Sequence, residues 1–129
     1  MNTLLLLVTT IILAGSLANA AAPEVACDLS YHKTDAMGFP VVSERLGLVD
    51  ISESGSEIRF KTFQFKGSLN QICASGFGAP CSGAYDLKIT INSRKSTNHL
   101  SVPVGNKNDR YSTSLQDSKE SLSANCDVK

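Results

Sequence analysis

Tyr85-Asp86-Leu87-Lys88-Ile89-Thr90-Ile91-Asn92 decides the fold class. Its odd positions are apolar or aromatic and its even positions polar or charged. A repeat of two puts alternate side chains on opposite faces of an extended chain, so this segment is a strand with one face buried and one wet. The pattern recurs outward in both directions. Upstream, Val25, Cys27, Leu29 and Tyr31 alternate with Ala26, Asp28, Ser30 and His32. Downstream, Leu100, Val102 and Val104 repeat it, and Leu122, Ala124, Cys126 and Val128 do so again. Pro103 has no amide to donate to a neighbour, which marks its strand as an edge.

The stretches between these strands carry turn chemistry. Gly38-Phe39-Pro40 reads as a turn, Ser52-Glu53-Ser54-Gly55-Ser56 as a polar loop, and Gly105-Asn106-Lys107-Asn108-Asp109 as a hairpin turn. Residues 41–51 are rich in Val, Leu and Ile, and their phase slips beside Gly47, which predicts a bulge. Glu57 to Lys66 reads as one strand. Ile58 and Phe60 share one face of it and Phe63 and Phe65 the other, so it bulges or bends near Lys61-Thr62. Ser68 to Ala74 is the best helix candidate: Ser68 can cap, Leu69, Ile72 and Cys73 fall at i, i+3 and i+4, and Gly76 can end it. Residues 110–118 fit helical or extended spacing. The resulting expectation is all-β: a small antiparallel sandwich or partly open barrel of six to seven strands, with one short helix.

The first residues set the compartment. Met1 to Ala20 carry no charged side chain, and two apolar runs, Leu4–Val8 and Ile11–Ala14, lead to Ala18-Asn19-Ala20. That is the layout of a signal peptide cut before Ala21. The apolar stretch is about fourteen residues, short of the roughly 20 that span a bilayer. Ser16 stands where a lipoprotein would need a thiol. Residues 1–20 are therefore expected to be a leader and residues 21–129 a single exported β domain, secreted or periplasmic and not membrane-spanning.

Twelve basic and twelve acidic residues give no net charge. A nucleic-acid partner normally calls for a strong positive excess, and none is expected here. No polybasic run is present to draw the chain to an anionic membrane. The four cysteines, Cys27, Cys73, Cys81 and Cys126, lack the Cys-x-x-Cys spacing of zinc or redox sites, and in an oxidising compartment they read as two disulfides. Cys27 with Cys126 ties the chain ends, and Cys73 with Cys81 closes Ala-Ser-Gly-Phe-Gly-Ala-Pro into a ring. On the loop-entropy model the two closures contribute about 4.7 and about 2.5 kcal/mol.

Catalytic signatures are sparse. His32 lies on the polar face of the first strand and His99 opens a later one; neither has a serine elbow nearby. Asp50, Glu53 and Glu57 flank a polar turn, where acids are ordinarily solvated, and Asn106, Asn108 and Asp109 lack the spacing of a calcium loop. No catalytic residue, metal or cofactor is assigned. Two features remain. Phe77, between Gly76 and Gly78 and followed by Pro80, either presents an aromatic on a closed ring or plugs the end of the sheets. Arg59, Lys61, Lys66, Lys88, Arg94 and Lys95 form a mildly basic strand surface or guard an aggregation-prone segment.

The expected function is that of a small exported, non-enzymatic binding module. It would act through loops or through a sheet edge such as Val102-Pro103-Val104, on an extracytoplasmic protein or glycan. One alternative is a secreted inhibitor or effector-like protein using the Cys73–Cys81 loop, with Gly76, Phe77, Gly78 and Pro80 as its binding residues. Another is a small hydrolase using His32 or His99.

Overall fold

The alternation of the sequence becomes two sheets whose apolar faces meet. A computed structural model describes residues 22–73 and 81–129. Residues 1–20, expected to be a leader, and Ala74, Gly76, Phe77, Gly78 and Pro80 lie outside the described residues. The strands are β1 (Val25–Thr34), β2 (Pro40–Ile51), β3 (Ser56–Phe60), β4 (Phe63–Cys73), β5 (Cys81–Asn92), β6 (Thr97–Pro103), β7 (Arg110–Asp117) and β8 (Glu120–Val128). One sheet runs β2-β1-β8-β7 and the other β3-β4-β5-β6, all antiparallel. Every ladder but one joins strands that follow each other in sequence; the exception pairs the first strand with the last.

The inner faces are read straight from the period of two. In the first sheet Val25, Cys27, Leu29 and Tyr31 stand opposite Val128, Cys126, Ala124 and Leu122. In the second, Phe65, Gly67 and Leu69 stand opposite Ile91, Ile89 and Leu87. All of the apolar members are buried in one core, together with Phe63, Tyr85, Ile51 and Leu115. Gly67 faces the opposite sheet with no space for a side chain. A Cβ added there would lie 2.6 Å from Ile51 Cδ1 of the opposite sheet and 3.1 Å from Ile89 Cδ1. A two-residue shift between Leu29–Gly47 and Ser30–Arg45 places the bulge of β2 at Leu46 and Gly47, where the phase of the sequence slips.

Both disulfides link residues that face each other across a ladder. Cys27 bonds Cys126 inside the β1–β8 pair, and Cys73 bonds Cys81 at the far end of the β4–β5 pair. Two disulfides in a chain of this size are typical of extracellular proteins.

Four expectations are corrected. Gly105 to Asp109 is not a hairpin turn, because β6 and β7, which it joins, lie in different sheets. The stretch from Ser68 onward is not a helix: as far as Cys73 it is the second half of β4, and there is no helix among the described residues. The i, i+3, i+4 spacing of Leu69, Ile72 and Cys73 suits a helix, but Leu69 is held against Leu87 and Ser68 against Lys88 by a ladder that began at Gln64. Long-range pairing overrides a two-turn local preference. Glu57 to Lys66 is not one bent strand but the β3–β4 hairpin, turning at Lys61-Thr62 with Phe60 paired to Phe63. That turn, and the division of residues 110–128 into β7 and β8 at Ser118-Lys119, raise the strand count to eight.

Gly67→Val should force a branched side chain into filled space. Overpacking of this kind costs about 1–3 kcal/mol, to be read as a lowered denaturation midpoint with the slope of the transition unchanged.

Candidate functional site

The strands run so that four turns gather at one end of the sandwich. These are residues 35–39 between β1 and β2, Lys61-Thr62, residues 93–96 between β5 and β6, and Ser118-Lys119. The Thr34 N–H donates to the Lys119 carbonyl at 2.9 Å, and Tyr31 of the first sheet packs edge-on against Phe60 and Phe63 of the second, with centroids 5.2 and 6.3 Å apart. The 35–39 turn carries two of the exposed large apolar side chains of the described residues, Met37 at 80% and Phe39 at 64%; Val41, at the start of β2, is 60% exposed, and Leu48, further along β2, is 64% exposed.

Local chemistry fixes that display. Asp35 Oδ1 accepts from both the Met37 and the Phe39 N–H groups at 2.9 Å. The Asp35 N–H donates to the Phe39 carbonyl at 2.8 Å, and the Gly38 N–H to the Asp35 carbonyl at 3.1 Å. Gly38 has φ +85°, a left-handed conformation that a residue with Cβ adopts only under strain. Asp35 and Gly38 thus make a small, closed turn whose polar groups are paired inward while Met37 and Phe39 point out. Isolated exposed apolar residues are ordinary, but two on one internally bonded turn, followed by Pro40 and Val41, form a patch of the sort that marks an interaction site.

Beneath the turn lies an aromatic and charged cluster. The Tyr31 hydroxyl donates to Glu120, and the Lys61 ammonium sits 4.9 Å over the Tyr31 ring and 5.8 Å over that of Phe60. Burial, reinforced by the hydrogen bond to the Glu120 carboxylate, pushes the Tyr31 hydroxyl from 10.0 up to about 12. Lys61 takes a left-handed backbone, φ +53°, to close the β3–β4 turn.

At the opposite end, where residues 22–25 and Lys129 lie, an open cavity of about 670 Å³ is lined by Ala22 to Val25, Asp50 to Ser54, Leu69 and Lys129. It brings Asp50 and Glu53 together. Asp50 lies 3.8 Å from the Lys129 ammonium, and Glu53 accepts from the Tyr85 hydroxyl at 3.0 Å, which raises the Tyr85 pKa. Glu57 stands apart on β3, where hydrogen bonds from Gln64 and then Arg59 hold its carboxyl below the usual range.

The histidines are not brought together. His32 Nδ1 is 2.9 Å from Ser43 Oγ on the outer face of the first sheet, and His99 Nδ1 is 3.0 Å from Thr90 Oγ1 on the second. Both are exposed, and neither lines the cavity. Among the described residues no group of three or more His, Cys, Asp or Glu side chains is placed to hold a metal. Asp109 caps its own turn, accepting from the Asn106 N–H at 2.8 Å. Val102-Pro103-Val104 lies at the end of edge strand β6, with Val102 and Val104 packed on the core. The basic group divides: Arg59 pairs with Glu57, Lys66 and Lys88 lie on the outer face of their sheet, and Lys61, Arg94 and Lys95 belong to turns.

Met37 and Phe39 are the site residues that sequence reasoning missed. Their signal was Asp35-Ala36-Met37-Gly38-Phe39: an acid followed at two and four residues by large apolar side chains inside a turn, where small polar residues are usual. No family model matches the chain, and no curated protein or solved structure matches it either.

Two outcomes follow. Asp35→Ala should leave the turn's amides without their acceptor, speeding proteolysis at residues 36–39 and costing about 1 kcal/mol, the net value of a typical hydrogen bond; limited digestion and denaturant titration measure both. In a phenolate absorbance titration, Tyr31 should ionise last, near pH 12. Because its pKa is higher folded than unfolded, stability is unaffected below the ordinary tyrosine range and falls as pH rises from 10.0 to about 12. Tyr31→Phe should reduce that fall, leaving the part that Tyr85, whose pKa is also raised, contributes.

Proposed function

We propose that the chain is an exported, non-enzymatic binding module whose contact surface is the β1–β2 hairpin tip, Met37 to Val41, together with the adjoining edge of β2. The observation that carries this reading is the exposure of Met37 and Phe39 on a turn that Asp35 holds internally. Ordering a loop on binding opposes association, so a turn already fixed by its own hydrogen bonds binds more favourably than a loose one. Among the described residues β2 pairs with β1 alone, so the tip half of its other edge, clear of the Ser56–Asp50 contact, offers backbone groups to an extended partner segment. Pro40 and the bulge at Leu46 and Gly47 limit that edge and guard it against indiscriminate pairing. Export is supported by the uncharged leader and by two disulfides.

The test is affinity capture from the organism's own extracellular or periplasmic extract with wild type, with Met37→Asp/Phe39→Asp, and with Phe77→Ala. Material retained by wild type and Phe77→Ala but lost from the double variant is the expected result, with the melting temperature of the double variant unchanged because Met37 and Phe39 are exposed. Retention by the double variant equal to that of wild type removes the tip from the function. Loss confined to Phe77→Ala would move the site to the Cys73–Cys81 loop.

A further inference from the structure

The turn chemistry of the tip end differs from that of the rest of the molecule. Lys33 closes β1, and the other three turns contribute Lys61, Arg94 with Lys95, and Lys119. All five are exposed. The ion pairs among the described residues are Arg45–Asp28, Arg59–Glu57, Arg110–Asp127 and Lys129–Asp50, so none of the five is in one. Against them stand Asp35, Glu44, Asp117 and Glu120, one fewer than the cations. Asp35 is bonded to turn amides and Glu120 accepts from Tyr31. The opposite end carries the reverse excess: Glu24, Asp50, Glu53, Asp86, Asp109 and Asp127 outnumber Lys107, Arg110 and Lys129. A chain with no net charge and no basic run is therefore polarised along its strands, because hairpin topology gathers cations that are far apart in sequence.

Resting on the reading that the tip is the contact surface, we infer that this end docks on an anionic phospholipid bilayer. Met37 and Phe39 would enter the headgroup–acyl boundary, with Lys33, Lys61, Arg94, Lys95 and Lys119 on the phosphates around them. Apolar side chains on one turn, with cations on the other turns of the same end, match the two features of such a surface, an apolar interior beneath negative charge. The cations come from the end of β1 and from separate turns, so a flat, laterally extended anion meets more of them at once than a compact ligand does. An acidic glycan would use the cations but leave Met37 and Phe39 in water.

The chain lacks tryptophan, so Phe39→Trp is a clean reporter. The full chain is expressed in a secreting host, collected from the medium, and mixed with vesicles of equal parts phosphatidylcholine and phosphatidylserine or of phosphatidylcholine alone. The tryptophan emission should shift to the blue only with the mixed vesicles, and added salt should reverse the shift. In sedimentation, Arg94→Gln/Lys95→Gln should bind about 25-fold more weakly, roughly fivefold per cation, and Met37→Asp/Phe39→Asp should not sediment. Binding to both vesicle types alike, or binding by the variants equal to wild type, overturns the inference. Retention on heparin without vesicle binding overturns it in favour of a glycan. If vesicles leave the reporter silent while the tip variant still loses a captured partner, the membrane assignment falls and the binding-module reading stands; indifference to the tip in both assays defeats both.

Discussion

The antiparallel ladder from Val25–Val128 to Lys33–Glu120, with the Cys27–Cys126 bond inside it, holds the first sheet together. Without it, that sheet would be two separate hairpins, β1–β2 and β7–β8, and an isolated hairpin is marginal in water. The second sheet would then lose the cover over Phe65, Leu87, Ile89 and Ile91. The contacts that form this ladder are also the most distant in sequence, the bonded cysteines being 99 positions apart. Closing so long a loop is entropically unfavourable in the unfolded chain, and a covalent bond at that position removes much of the difference between unfolded and folded states.

The same ladder explains why this is a sandwich. Each strand lies beside its sequence neighbours, the order of an up-and-down barrel, and β8 returns to β1 as closure requires. Between β2 and β3, and again between β6 and β7, the ladder is interrupted. What bridges these seams is local: Ser56 Oγ donates to the Asp50 carbonyl at 2.7 Å, the Leu69 N–H to the Ser52 carbonyl at 3.1 Å, and Asn98 Nδ2 to the Ser114 carbonyl at 2.7 Å. The interruptions leave four edges. β3 is short, β6 ends in Pro103, β7 begins at Arg110 in an ion pair with Asp127, and β2 is broken by its bulge. Each is a recognised protection against edge pairing.

How much of this could be read from residue order varied with the range of the forces involved. Strands buried on one face announce themselves, since alternation at Val25–Tyr31 and Tyr85–Ile91 has a single geometric meaning. The bulge was visible because Gly47 coincides with the phase slip. The second half of β4 was not, because Leu69-x-x-Ile72-Cys73 satisfies helical spacing and the deciding contact, Leu69 with Leu87, comes from a distant segment. The Lys61-Thr62 turn lacks the Gly, Asn or Asp that tight hairpins favour. At the candidate site the gap was one of exposure: Phe39 and Phe63 are the same residue type, yet one is in solvent and the other in the core. Composition also hid the charge polarity, because a neutral sum says nothing about which turns share an end.

Residues 22–24 and Lys129 lie at the end remote from the tip, where the Lys129 N–H donates to the Glu24 carbonyl at 2.8 Å. Anything joined to the chain beyond Lys129, or ahead of Ala22, leaves from that far side. The molecule is thus oriented for display: a tether, a reporter protein or a solid support fixed there holds the Met37–Phe39 turn outermost. A short peptide joining Lys129 to Glu24, with new ends opened elsewhere, would keep every ladder intact.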